Sequence, residues 1–182
     1  MSTSPADELR RLAEQADTSW PPASEGLWRN VIDFAADHPD AVAKMTRAPY
    51  TLGLAWYNRS ASTPEREKMA EKWFKVALDR KPDDWYAVLY LGHLAFARSD
   101  FQLALEYFSR IPKRAFTSCD QEWRDVKVQE LCVCCHFRLG HPEAVQVAFR
   151  EYLEMLGRSE ETSAVVAEEL PQLLVLAAGG RA

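Results

Sequence analysis

The residues best suited to chemistry stand together in the stretch Leu131 to Phe137, LCVCCHF. On a helix, Cys132, Cys135 and His136 fall at i, i+3 and i+4, on one face. Thiolate and imidazole are ligands for Zn²⁺ and Cu⁺, so this trio could hold such an ion. No paired Cys-x-x-Cys motif occurs elsewhere to complete a tetrahedral site; the other thiols are Cys119 and Cys134. A free Cys packs as a small hydrophobe, so packing is the preferred reading, metal binding the second and redox sensing the third. A nucleophilic site needs Cys or Ser beside His and a carboxylate. Cys119 lies next to Asp120 in an expected loop with no His near it, and His93, His136 and His141 fall on expected helices or turns. The acidic pairs Asp83-Asp84 and Glu168-Glu169 sit at helix starts or solvated faces. No GxGxxG, Walker-type loop or HExxH occurs. The chain is therefore expected to be no enzyme and to carry no cofactor and no metal.

The elements around these residues read as all-α. The 182 residues suffice for one domain with a sizeable core, and seven Gly with few strand-like alternations argue against sheet. A formal net charge of −5 disfavours a general nucleic-acid binder, which would show a basic balance. No apolar run reaches the ~18 residues of a membrane span, and MSTSPADELRRLAEQ lacks a charged-then-apolar leader pattern. A cytoplasmic location with free thiols, and no membrane partner, is expected.

Start and stop signals divide the chain. Ser4-Pro5 opens a helix to about Asp17, and Trp20-Pro21-Pro22 stops it. Ser24 is the next candidate cap, for a helix ended by His38-Pro39, and Asp40 the cap of a short helix to Lys44. Pro49 opens a helix to about Asn58, and Thr63-Pro64 one to about Arg80. Asp84 caps the helix at Trp85, and Arg98-Ser99-Asp100 breaks it from the next. Ser118 or Asp120 starts a helix to Arg138, and Gly140 ends it before a helix to Leu156. A last helix, about Glu160 to Ala177, is kinked or split by Pro171.

Two of these helix pairs carry one pattern. Leu91-Gly92 is followed by Ala104-x3-Phe108, and Leu52-Gly53-x2-Trp56 by Ala70-x3-Phe74, Ala77 and Pro82. A weaker third copy has Leu131-Cys132-x2-Cys135 and Ala144-x3-Ala148. Ala70 to Ala104 is 34 residues. The pattern resembles the tetratricopeptide repeat, whose period is ~34 residues, over roughly Thr46 to Leu156. Longer spacings place insertions of about five residues near Arg59 to Ser62 and about six near Lys113 to Asp120. The resemblance implies an α-α superhelix: capping helices over 1–45, three hairpins (46–82, 84–112, 121–157), and a capping helix with tail over 158–182.

In that family the leading helices line a concave face that takes ligands. Mapped by repeat position, the lining would be Tyr50, Leu54, Tyr57 and Asn58; then Tyr86, Leu89, Tyr90, His93 and Phe96; then Gln129, Glu130, Val133, His136 and Phe137. Only Asn58 matches the Lys and Asn set with which some members clamp a terminal carboxylate, so an apolar or aromatic segment, extended or helical, is the expected ligand. The implied function is a non-catalytic adaptor or chaperone binding another protein or peptide. An immunity or inhibitor protein that blocks a toxin or enzyme is the first alternative, its acidity steering it to a basic target. A metal- or thiol-dependent site at Cys132, Cys135 and His136 is the second. The C-terminal helix could cap the third hairpin, fill the groove or support a homodimer. The loop from Lys113 offers Lys113, Arg114 and Phe116 as a mixed basic and apolar tip, or serves as a solvated connection.

Overall fold

The computed structural model describes residues 4–18, 23–59, 63–117 and 121–156. Among them nine helices form and no strand: α1 Pro5–Asp17, α2 Ala23–Asp37, α3 Pro39–Lys44, α4 Ala48–Tyr57, α5 Pro64–Arg80, α6 Trp85–Ala97, α7 Phe101–Arg110, α8 Glu122–Arg138 and α9 Pro142–Leu156. The all-α expectation holds. The expected helix over 160–177 with its Pro171, the Ser118 and Asp120 caps, Cys119, the stop at 20–22 and most of the 59–62 insertion lie outside the described residues.

Local chemistry fixes the helix starts. Ser4 accepts from Asp7 N–H at 3.2 Å, and Thr63 from Arg66 N–H at 3.2 Å. Asp84 accepts from Ala87 N–H at 3.3 Å and Asp100 from Leu103 N–H at 3.2 Å. Each bond satisfies a first-turn donor that has no partner within the helix. At α3 the expected Asp40 cap is not used. Pro39 occupies the first turn, and the preceding His38 makes no side-chain cap. Its ring stacks on Phe34 at 4.2 Å, and with Pro39 as the first helical residue the helix starts two residues earlier than an Asp40 cap would set.

The chain forms two compact units, the first ending at Tyr90 and the second beginning at Leu91. In the first, α1 packs on α2, α2 on α4, and α4 on α5. The helix α4, APYTLGLAWY, is apolar all round and so needs cover on several sides, whereas α5 is amphipathic. Leu52, Gly53 and Ala55 of α4 are buried, as are Ala70, Phe74 and Ala77 of α5. The contact is close: a Cβ on Gly53 would lie 2.6 Å from Cδ1 and Cε1 of Phe74. Arg80 Nη1 donates to Met45 O at 2.8 Å, tying the end of α5 to the turn before α4.

The second unit repeats this device. A Cβ on Gly92 would collide with the Phe108 ring, which is 2% exposed. The turn between α6 and α7 is closed by Asp100 N–H to Ala95 O and Ser99 N–H to Phe96 O, both 2.9 Å. This is a Schellman closure with Ser99 in the left-handed region, φ 62°. The turn between α8 and α9 is built the same way, with His141 N–H to His136 O, Gly140 N–H to Phe137 O, and Gly140 at φ 70°. In the α8/α9 pair Cys132 stands where the other pairs have Gly, and Ala148 where they have Phe. Phe149 and Tyr152 fill the volume instead, in a cluster with Val126, Val133 and Val145.

The loop before α8 is no apolar tip. Phe116 is fully buried, and its N–H reaches both carboxylate oxygens of Asp125 at 3.4 and 3.3 Å. Thr117 Oγ1 donates to Asp125 Oδ2 at 3.3 Å. A charged acceptor on α8 thus draws the loop down and carries the Phe ring into the core.

The Gly positions give opposite expectations for one substitution. Ala in place of Gly gains about 1 kcal/mol of helix propensity, while overpacking costs about 1–3 kcal/mol. Gly92→Ala, whose Cβ meets a buried ring, is expected to lower the urea unfolding free energy. Gly26→Ala, with nothing within 4 Å, is expected to raise it. At the two turns, Ser99→Gly is expected to stabilise and Gly140→Ala to destabilise, each by about 1 kcal/mol, because only Gly enters the left-handed region without strain.

Candidate interaction surface

In the first unit a cleft of about 530 Å³ opens between α1 and α4. The α1 wall presents Ala6, Leu9, Arg10, Ala13, Glu14 and Asp17, and the α4 wall Arg47, Tyr50, Thr51 and Leu54. Both walls are read at i, i+3, i+4 and i+7, because those positions share one helix face. Trp28 and Met45 also line the cleft. Leu9, Trp28 and Leu54 are buried apolar residues, and the rim carries Arg10 and Arg47 against Glu14 and Asp17. The Arg47 guanidinium lies 5.5 Å from the Tyr50 ring centroid, within cation–π range.

Behind this face stands an aromatic cluster. Tyr50 lies 6.1 Å from Phe74, 6.0 Å from Tyr86 and 6.3 Å from Tyr90. Tyr90 stacks on Phe74 at 5.2 Å and 6°, and Tyr57 lies 4.8 Å from Tyr90. Burial, then the nearby Tyr90, raises the Tyr57 hydroxyl pKa above its ordinary value, so the phenol stays neutral.

The sequence-derived lining therefore divides. Tyr50 and Leu54 line the cleft, and Tyr57 and Tyr86 are half-buried in the aromatic cluster. Asn58 ends α4 as its C-cap. Leu89 and Tyr90 are core residues, 1% and 8% exposed, so they offer a partner almost no area. In the second unit Val133 and Glu130 are buried, and Gln129 is engaged: its Nε2 donates to Ala148 O at 3.1 Å and Glu151 Oε2 at 3.2 Å. Phe96 is half-buried, edge-on to Phe101 at 5.5 Å. Phe137 is 46% exposed.

The groups that invited chemistry are held in packing roles. Burial is the main force pushing the Cys132 and Cys135 thiols up to about 12, far from the reactive thiolate range. His136 lies 5.9 Å from His141, and burial followed by that neighbour lowers its pKa. Among the described residues no three of His, Cys, Asp and Glu converge as metal ligands. Nor is any described helix long and apolar enough to cross a membrane.

The residues of α1 were not legible as lining. Their spacing showed a stripe, but a stripe does not say which helix it faces. Comparison of the chain with known protein families, with curated proteins and with solved structures returned no match.

His93 has a measurable consequence. It packs edge-on to Phe108 at 6.1 Å, and burial, with Lys127 and Arg124 nearby, lowers its pKa from 6.5 to about 4. The folded chain then binds fewer protons than the unfolded chain between these values. His93's contribution to stability is full above pH 6.5 and is lost as pH falls toward about 4. Denaturation series at about pH 7.5 and about pH 4.5 are expected to show His93→Leu losing less stability on acidification than the parent, by up to ~3 kcal/mol.

Proposed function

We propose that the chain is a non-catalytic protein–protein interaction module of the tetratricopeptide kind, an adaptor or chaperone. On this reading the α4/α5 and α6/α7 pairs are successive repeats sharing one Gly–Phe interlock, α8/α9 is a third with its packing rearranged, and α1 and α2 cap the first. The repeats would stack as an α-α superhelix.

The observation that carries the reading is the cleft between α1 and α4. Two helices with aligned faces, an apolar floor and charged rims suit an apolar segment of a partner, and above all an amphipathic helix. Its volume of about 530 Å³ lies within the range that ligand sites occupy. Tyr50 supplies a half-buried aromatic anchor of the type enriched at binding hot spots. Cys132, Cys134 and Cys135 are free thiols, which suits a reducing, cytoplasmic setting.

Affinity capture of partners from the native extract, followed by a binding measurement with each purified partner, tests this. Ala13→Arg puts a long cation into the cleft from the α1 side and is expected to weaken binding at least about tenfold. Tyr50→Ala removes the anchor and is expected to cost about 1–2 kcal/mol. Val147→Arg, at a 56% exposed site on α9, is the control and is expected to leave binding unchanged. Full binding by both cleft variants, with unaltered circular dichroism, would reject the cleft and favour an inhibitor acting through another surface.

A further inference from the structure

The trio of Cys132, Cys135 and His136 does not converge, but His136 has an imidazole partner outside it. His136 stands in the last turn of α8, and His141 directly precedes the first residue of α9. Their ring centroids are 5.9 Å apart and their planes are tilted by 50°. An ion about 2.1 Å from a ring nitrogen lies roughly 3.2 Å from that ring's centroid, so two imidazoles share one ion when their centroids are roughly 4.5–6.4 Å apart. The observed separation falls inside that window.

The backbone holds the two residues in place. His141 N–H donates to His136 O, Gly140 N–H to Phe137 O and Val145 N–H to His141 O, each at 3.0 Å. Gly140, at φ 70°, makes the turn between them. The fold has already closed this short loop, so little backbone entropy is left to lose when both rings take one ion.

The rings are also in a state to bind. His141 is exposed, so its side chain is free to aim a nitrogen, and His136 is half-buried. His136 Nδ1 is buried without a hydrogen-bond partner among the described residues, and a native structure seldom leaves such an atom unmet. Burial, then His141, lowers the His136 pKa, so its ring is neutral near pH 7, the form that ligates metal. Neither thiol enters the site. Cys135 is fully buried, and burial pushes the Cys132 thiol up to about 12, which keeps it protonated near pH 7.

We propose that His136 and His141 form a chelating site for a divalent transition-metal ion of the class that favours imidazole, such as Zn²⁺ or Ni²⁺. The ion clasps the end of α8 to the start of α9. Two ring nitrogens are the protein ligands, and water fills the other positions. The site shares no residue with the α1/α4 cleft, so either can fail without the other.

The test is a Zn²⁺ titration of the isotopically labelled full chain at about pH 7.5 with a thiol-free reductant, read by calorimetry, NMR and thermal unfolding. One ion per chain is expected, with shifts centred on the 136–145 amides and a raised unfolding temperature. His141→Ala, at an exposed turn position, is expected to weaken binding at least about tenfold and to remove the rise in unfolding temperature. Cys132→Ala, and His38→Ala in the first unit, are expected to leave binding unchanged. No binding at millimolar Zn²⁺, shifts centred elsewhere, binding unchanged in His141→Ala, or binding lost in Cys132→Ala or His38→Ala would each overturn the proposal.

Discussion

The approach of an aromatic ring to a glycine on a facing helix sets the spacing of both helix pairs that carry the repeat pattern. At Gly53 and at Gly92 the missing side chain is the room that Phe74 and Phe108 occupy. Burying a Phe side chain is worth about 1.5–3 kcal/mol, and a close-packed interior gives back little of that if the ring is displaced. Each ring is held by its own helix, since Ala70 and Ala104 lie one turn before Phe74 and Phe108 and are fully buried. Small residues on both helices therefore bring the axes together, and one large residue locks the register.

Polar groups then fix what lies between the helices. Asp84 is 7% exposed and caps α6, and Asp125 is 8% exposed and anchors the loop before α8. Glu130, 1% exposed, is met by Lys127 Nζ at 3.0 Å from its Oε1. Carboxylates this deep are tolerated only with donors in place, so each helps specify one conformation of a connection that apolar contacts alone would leave variable. The same logic accounts for the Cys132 and Cys135 thiols and the His136 imidazole of α8. In an apolar setting they are kept neutral, and a neutral thiol is a packing group rather than a nucleophile.

The α8/α9 pair packs without the glycine–ring contact of the other two pairs. With Cys132 for Gly and Ala148 for Phe, the ring contact is gone. Its volume is recovered one residue along by Phe149 and one turn further by the fully buried Tyr152. Gln129 adds a tie to the Ala148 carbonyl. A hydrophobic core tolerates such exchanges when total volume is kept.

The sequence by itself determined the helix starts at Ser4, Thr63 and Asp84, the break at Arg98 to Asp100 and the Gly140 stop, because caps and periodicity act over a few residues. It also showed Leu-Gly followed by Ala-x3-Phe in two helix pairs, but the contacts of Gly53 with Phe74 and of Gly92 with Phe108 appear only in the tertiary structure. It did not disclose the left-handed turn at Ser99, since Ser has no intrinsic preference for that region and the closure depends on hydrogen bonds to the preceding helix. Nor did it separate Tyr50, which lines a cleft, from Leu89 and Val133, which lie in the core. Only the tertiary structure decided those, along with the α1 wall of the cleft and the capture of Phe116 by Asp125. Helical periodicity says which residues share a face, but burial depends on which distant helix comes to cover it.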